Sequence, residues 1–289
     1  MKLSVCCGPL TLKQDFPGMC QWLAANGFDA VDMTSVDAGQ KKTIEQAGLS
    51  VGSFSAPSLG KTLDADETKR KEGVAALKGE IKQAADLGLK TLFVCFVPVN
   101  KLAPRAATFE IWKSFFPEIV DLCESLGINI AMEAWPGPPP AYPTIGCTPE
   151  MWRAMFEVCP STTFGLCYDP SHLVRLGIDH IRVLKEFGER IHHVHGKDCA
   201  IVEEELYIQG RLTRTFGAGP YKFAEGWWRY CVPGDGLVKW REVIAGLLVA
   251  GKEDICVSVE LEDHFYAGDA EKNKAGLLAS RDYLKTVMR

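Results

Sequence analysis

At 289 residues, 47% hydrophobic and 24% charged, the chain has material for one large domain or two ordinary ones with a substantial core. Its formal net charge of −5 argues against nucleic acid as a substrate, because phosphate binding calls for a basic face. No apolar run approaches the length needed to span a bilayer, which argues against a membrane protein.

The N-terminus is a poor signal peptide, because its apolar stretch stops at Gly8-Pro9 and turns polar at Lys13-Gln14-Asp15. Of 11 cysteines, Cys6, Cys95, Cys167 and Cys256 sit inside apolar strand-like runs, and no C-x-x-C pair occurs. That usage predicts free core thiols in a reducing, cytoplasmic compartment. The first predicted strand is Leu3–Cys7, followed by a helix over Phe16–Asn26 that stops at Gly27. Strand Ala30–Met33, helix Gln40–Gln46, strand Ser50–Ser55 and helix Asp66–Leu87 come next. Strand Thr91–Val97 precedes a helix over Phe109–Leu126 that ends at Gly127. After strand Asn129–Ala134, Thr148-Pro149-Glu150 reads as a helix start: a cap residue, then Pro in the first turn. Strand Thr163–Tyr168, helix Asp179–Phe187, strand Ile191–His195, helix Trp240–Ala250, strand Ile255–Glu260 and helix Ala270–Val287 complete the chain.

Several of these strands are apolar nearly throughout, as parallel strands covered on both faces are. Eight strand–helix units predict a single-domain (β/α)8 TIM barrel, a fold of about 250 residues plus insertions. An open doubly wound sheet uses the same alternation. However, no G-x-G-x-x-G follows the first strand, and polar residues close many strands rather than one crevice. The long connection from Asp198 to Leu237, rich in Gly and aromatics, reads as an insertion or lid loop after strand seven, at the catalytic face. A subunit contact built from exposed aromatics is the competing role for it, which would make the protein a dimer or tetramer.

Four metal-capable side chains close four successive apolar runs: Glu133 in Ile-Ala-Met-Glu, Asp169 in Cys-Tyr-Asp-Pro-Ser-His, His195 in His-His-Val-His, and Glu260 in Val-Ser-Val-Glu. Each alone is weak. A strand-end glutamate is more often solvated, and a histidine among three more often structural. Together they occupy equivalent positions, and a closed sheet would gather them around one divalent cation. Three carboxylates and one imidazole favour Mn²⁺ ahead of Mg²⁺, Co²⁺ or Zn²⁺. Glu133 and Glu260, from strands five and eight, could flank a chelated substrate. Such a pair suits removal of a proton next to a carbonyl and its return, with the cation stabilising an enediolate.

Glu in strand five, Asp-x-x-His after strand six, His-x-His at strand seven and Glu in strand eight resemble the xylose-isomerase-like superfamily, and within it the sugar phosphate isomerase/epimerase group. The resemblance covers essentially the whole chain. It implies Glu133, Asp169, His195 and Glu260 as metal ligands, Glu133 and Glu260 as the acid/base pair, and His172 as a group that hydrogen-bonds substrate oxygens. The implied reaction is isomerisation or epimerisation of a sugar, keto-sugar or inosose-like polyol. The alternatives are a lyase acting on an inosose or 3-keto-glycoside at the same site, and the DNA-cutting endonuclease IV branch of the superfamily. A non-catalytic barrel would not need all four ligand types.

Two departures from the ketose 3-epimerases stand out. No second glutamate follows strand five, where Trp135-Pro136-Gly137 stands. Lys197-Asp198, rather than an arginine, follows strand seven, as in inosose-type members. Lys197 could hold a substrate hydroxyl or neutralise an enolate, or pair with Asp198 or another barrel-top carboxylate. Trp135 could stack on a sugar face, and Arg229 could meet an anionic substrate group. His193 would point to the same side as His195 and reads as a group behind the ligands rather than one of them.

Overall fold

Eight short strands close into a parallel barrel. They are β1 Lys2–Val5, β2 Ala30–Met33, β3 Ser50–Ser55, β4 Thr91–Val94, β5 Asn129–Glu133, β6 Phe164–Tyr168, β7 Ile191–Gly196 and β10 Cys256–Val259. Each pairs with its neighbour in sequence around the ring, and β1 against β10 closes it in the register Lys2↔Cys256 to Val5↔Val259. The structure, a computed structural model, describes residues 1–6 and 13–288. Cys7 and Gly8-Pro9 lie outside the described residues, so only the first part of the expected strand Leu3–Cys7 is seen, as β1. No disulfide joins the described cysteines. No helix among the described residues is long and apolar enough to cross a membrane.

The helices start where their caps dictate. Asp37, Asp66, Thr148, Asp179 and Asp269 each accept a backbone N–H from the first turn of the helix that follows. The single helix expected over Phe109–Leu126 is instead two, Arg105–Lys113 and Phe116–Leu126. Pro117 is the cause: it lacks an N–H, and its ring would clash with the carbonyl of Lys113 in a continuous helix. The break turns Trp112 and Phe116 onto Phe164 and Phe96, an aromatic cluster with no exposed member.

Two further differences matter for the site. A helix over Pro170–Leu176 directly follows β6, a segment with no expected element. The Asp198–Leu237 connection is also more than loop. It carries β8 Asp198–Ile201, a helix over Glu203–Gln209, and β9 Trp228–Cys231, with β8 and β9 paired antiparallel. Its return is fastened by Asp198, whose carboxylate accepts N–H groups from Cys199, Gly234 and Val238 and the Trp240 indole. A Cβ at Gly236 would stand 2.2 Å from Asp198 Oδ1 and 2.6 Å from the Cys199 carbonyl, so only glycine fits that turn.

At the second residue of β7, His192 hydrogen-bonds the Thr162 carbonyl at 2.8 Å. Burial depresses its imidazole to about 4 from an ordinary 6.5. Between those values the unfolded chain binds the proton that the folded chain refuses. Stability should therefore fall as pH drops from about 6.5 towards about 4. His192→Gln removes this term, and its melting temperature should decline less over that window than the wild type's; parallel curves would refute the assignment.

Candidate active site

The C-terminal rim of the barrel gathers the four strand-end groups. Glu133 is the last residue of β5, registered opposite Cys167 of β6. Asp169 follows β6 immediately, His195 lies in β7 opposite Ser258 of β10, and Glu260 follows β10. His195 Nδ1 is 2.7 Å from Glu133 Oε1, 3.2 Å from Glu260 Oε2 and 3.8 Å from Asp169 Oδ2. Glu133, Asp169 and His195 are buried. Strand alternation alone would send such groups to either face; here all four point into the barrel mouth.

The motif Asp-Pro-Ser-His does two jobs at once. Asp169 Oδ1 caps the helix Pro170–Leu176, accepting the Ser171 N–H at 2.9 Å and the Ser171 hydroxyl at 2.6 Å. That leaves Asp169 Oδ2 buried with no hydrogen bond, and the first helical turn carries His172 beside it, with Nε2 at 3.3 Å. The Nε2 atom of His172 is likewise buried without a hydrogen bond. Buried polar atoms without a hydrogen bond are rare, and these two lie side by side. Among the described residues, only the Lys197 ammonium, 3.2 Å from Asp169 Oδ2, is in ion-pair reach of that oxygen besides His172 and His195. Glu133, Asp169, His172 and Glu260 each bring a ligand-capable atom within 4.8 Å of the others. The donor set therefore fits a hard divalent cation. Two imidazoles, His172 and His195, compete for the one nitrogen position expected.

Charge at the site is strongly coupled. Burial opposes ionisation of Glu260, but Lys197 and then His195 hold its carboxyl down at about 2. Against burial, the imidazoles of His172 and His195 beside it keep Glu133 well below the usual carboxylate range. Burial disfavours a charged His195, yet Cys167, Glu260 and Glu133 raise it well above an ordinary imidazole. Lys197, fully buried, pays the same desolvation, but Asp169, Glu260 and Glu262 hold it firmly protonated. Its ammonium donates to Glu260 Oε2 at 2.5 Å and Glu262 Oε2 at 3.1 Å and lies 3.2 Å from Asp169 Oδ2. Of the pairings open to Lys197, the structure shows the barrel-top carboxylates. Asp198 is occupied by the insertion's backbone.

Above these groups lies a cavity of about 440 Å³. Glu133, His172, Lys197 and Glu260 form its floor, and Phe93 and Trp135 part of its wall. Phe93 stacks on the His195 ring at 5.4 Å.

A family profile described as xylose isomerase-like TIM barrel matches residues 20–287. The chain belongs to that family. Among curated relatives of this xylose isomerase-like barrel, it is 39% identical over 101 residues to the uncharacterized protein YfiH of Bacillus subtilis (strain 168), covering 34% of this chain and 31% of that one. It is 30% identical over 167 residues to an inosose dehydratase of Geobacillus thermodenitrificans (strain NG80-2), covering 57% and 50%. The chain thus spans about a third and about half the length of these two relatives. Among solved structures, a D-psicose 3-epimerase with D-tagatose from Clostridium cellulolyticum H10 superposes with a TM-score of 0.70, 13% identity and full coverage of both chains. At that identity the likeness establishes the fold.

In this xylose isomerase-like barrel the remaining sequence candidates separate. Trp135 lines the cavity, but Arg229 turns away from it: its guanidinium sits over Phe265 at 5.2 Å and reaches Asp263 at 3.8 Å. His193, behind His195, bonds Asp32 Oδ2 at 3.0 Å, an oxygen that also accepts the Ser258 hydroxyl. Four polar lining residues escaped sequence reasoning: Arg175, Glu225, Tyr230 and Glu262. Only Glu262 carried a readable signal, since it lies two residues beyond Glu260 and so keeps to the same side in an extended segment.

Proposed function

We propose that this cavity is the active site of a divalent-metal-dependent isomerase or epimerase acting on a sugar, keto-sugar or inosose-like polyol by proton removal beside a carbonyl. The observation that carries the reading is the pair Glu133 and Glu260, two carboxylates held ionised on either side of His195 at the floor of one cavity. Glu133, Asp169, His195 and Glu260 would hold the cation, Mn²⁺ first. When bound, it would polarise a carbonyl and stabilise negative charge on neighbouring oxygens.

The chain's own groups then divide the work. One carboxylate of the pair Glu133 and Glu260 takes the proton from the carbon next to the carbonyl. In isomerisation the same group hands it to the neighbouring carbon; in epimerisation the other, having first taken a proton from water, delivers it to the opposite face. Lys197 meets negative charge that develops on substrate oxygens. His172 contributes a hydrogen bond to a substrate oxygen. Trp135 and Phe93 offer apolar faces to the C–H side of a ring, and the insertion covers the mouth as a lid.

A lyase on the same site is the second reading, favoured by the inosose dehydratase relative and by Lys197, an ammonium donor bonded to Glu262 Oε2 at 3.1 Å, which could meet a departing hydroxyl. Incubation with Mn²⁺ in D₂O against ketoses, inososes and 3-keto-glycosides tests both. Deuterium should enter at carbon next to the carbonyl of at least one compound. New enone absorbance marks elimination, and its absence marks epimerisation. No exchange with any member of the panel would refute proton abstraction.

A further inference from the structure

The insertion reaches the floor of the cavity through one hydroxyl. Tyr230 of β9 is 4% exposed, and its phenol oxygen has two partners, Arg175 Nη1 at 2.8 Å and His172 Nδ1 at 2.5 Å. A guanidinium has only donors and stays charged in proteins. Arg175 therefore donates to the phenol oxygen, and the phenol O–H must find an acceptor elsewhere. His172 Nδ1 is that acceptor. Were Nδ1 protonated, a buried O–H would be left without a partner.

Arg175 itself cannot swing away. It bonds Glu225 Oε1 at 2.9 Å, and its guanidinium carbon lies 3.9 Å from the centre of the Trp228 ring. Tyr142 donates to the other oxygen of Glu225 at 2.7 Å. A neutral imidazole that accepts at one nitrogen carries its proton on the other. That other atom, Nε2, faces Asp169 Oδ2 at 3.3 Å and Glu133 Oε1 at 3.6 Å and has no hydrogen bond within the protein.

We infer that Tyr230 and Arg175 are a positioning pair that fixes His172 as the Nε2–H tautomer, making it a donor aimed into the site and leaving His195 as the ligand imidazole. Its catalytic consequence rests on the function proposed above; the tautomer itself does not. The insertion thus orients a group of the barrel floor as well as roofing it. His195, with Nδ1 turned towards all three carboxylates, is free of any such constraint from the insertion.

The test is ¹⁵N NMR of histidine-labelled, metal-free protein, with the His172 signals assigned by their loss in His172→Gln. Wild-type Nδ1 should show the shift of an unprotonated acceptor and Nε2 that of an N–H. In Tyr230→Phe, which keeps the ring, the preference should be lost and the two tautomers mix. Turnover of any compound that exchanges deuterium should then fall about 10- to 100-fold, as when other outer partners of a metal site are removed. Mn²⁺ affinity should be unchanged. A wild-type His172 protonated on Nδ1, singly or with Nε2, overturns the inference, and so does an unaltered tautomer in Tyr230→Phe. Because the NMR result needs no substrate, it stands or falls separately from the proposed reaction.

Discussion

Glu260→Gln should lower kcat/KM by about 10³–10⁴-fold, the upper part of the range for a lost general base, and leave the fold intact. The effect is expected to be large because, in the proposed reaction, one side chain would hold two roles, base and cation ligand. It should not unfold the protein, for three reasons. Gln keeps the volume of Glu. Glu260 lies just beyond β10 rather than in it. Lys197, the buried cation it partners, retains Glu262 at 3.1 Å and Asp169 at 3.2 Å. Steady-state kinetics alongside far- and near-UV circular dichroism would decide it. Activity within tenfold of wild type in a folded variant would mean that the proton is moved by another group.

The second large effect concerns the cation. Mn²⁺ at a free concentration 100 times its dissociation constant should stabilise the wild type by about 2.7 kcal/mol, several degrees in melting temperature. Asp169→Asn should erase that shift at the same concentration. The substitution is selective because Asn is as good a helix cap as Asp. The bonds that Oδ1 accepts from Ser171 can survive while the negative charge at Oδ2 is lost, and Lys197 keeps Glu260 and Glu262 as partners. Melting curves with and without Mn²⁺ supply the measurement. A variant whose melting temperature still rises with Mn²⁺ by the wild-type amount would remove Asp169 from the ligand set.

The sequence spoke most clearly where chemistry is local. Apolar runs such as Phe164–Tyr168 are legible as covered parallel strands because both faces of the strand are buried. A charge at the end of such a run is legible as a rim group because a strand has no other place for it. Glu133, Asp169, His195 and Glu260 were found in this way, and the structure brings them together.

What was missed depends on contacts distant in sequence. Tyr230 lies 58 residues from His172 and 55 from Arg175, and nothing in Trp-Trp-Arg-Tyr-Cys says which aromatic turns inward. Trp228 and Tyr230 face the cavity while Arg229, between them, points outward, as alternation in β9 requires. That alternation was hidden because the insertion reads as loop until its pairing with β8 is known. The helix break at Pro117 was readable from the start, and the apolar spacing on either side of it masked the signal.

The proposed reaction requires a single cation at the barrel mouth. Crystals soaked in Mn²⁺ and measured for anomalous scattering address it directly. One peak should lie about 2.0–2.3 Å from oxygens of Glu133, Asp169 and Glu260 and from a nitrogen of His195. No peak at the barrel mouth, or a peak held by groups elsewhere, would contradict it.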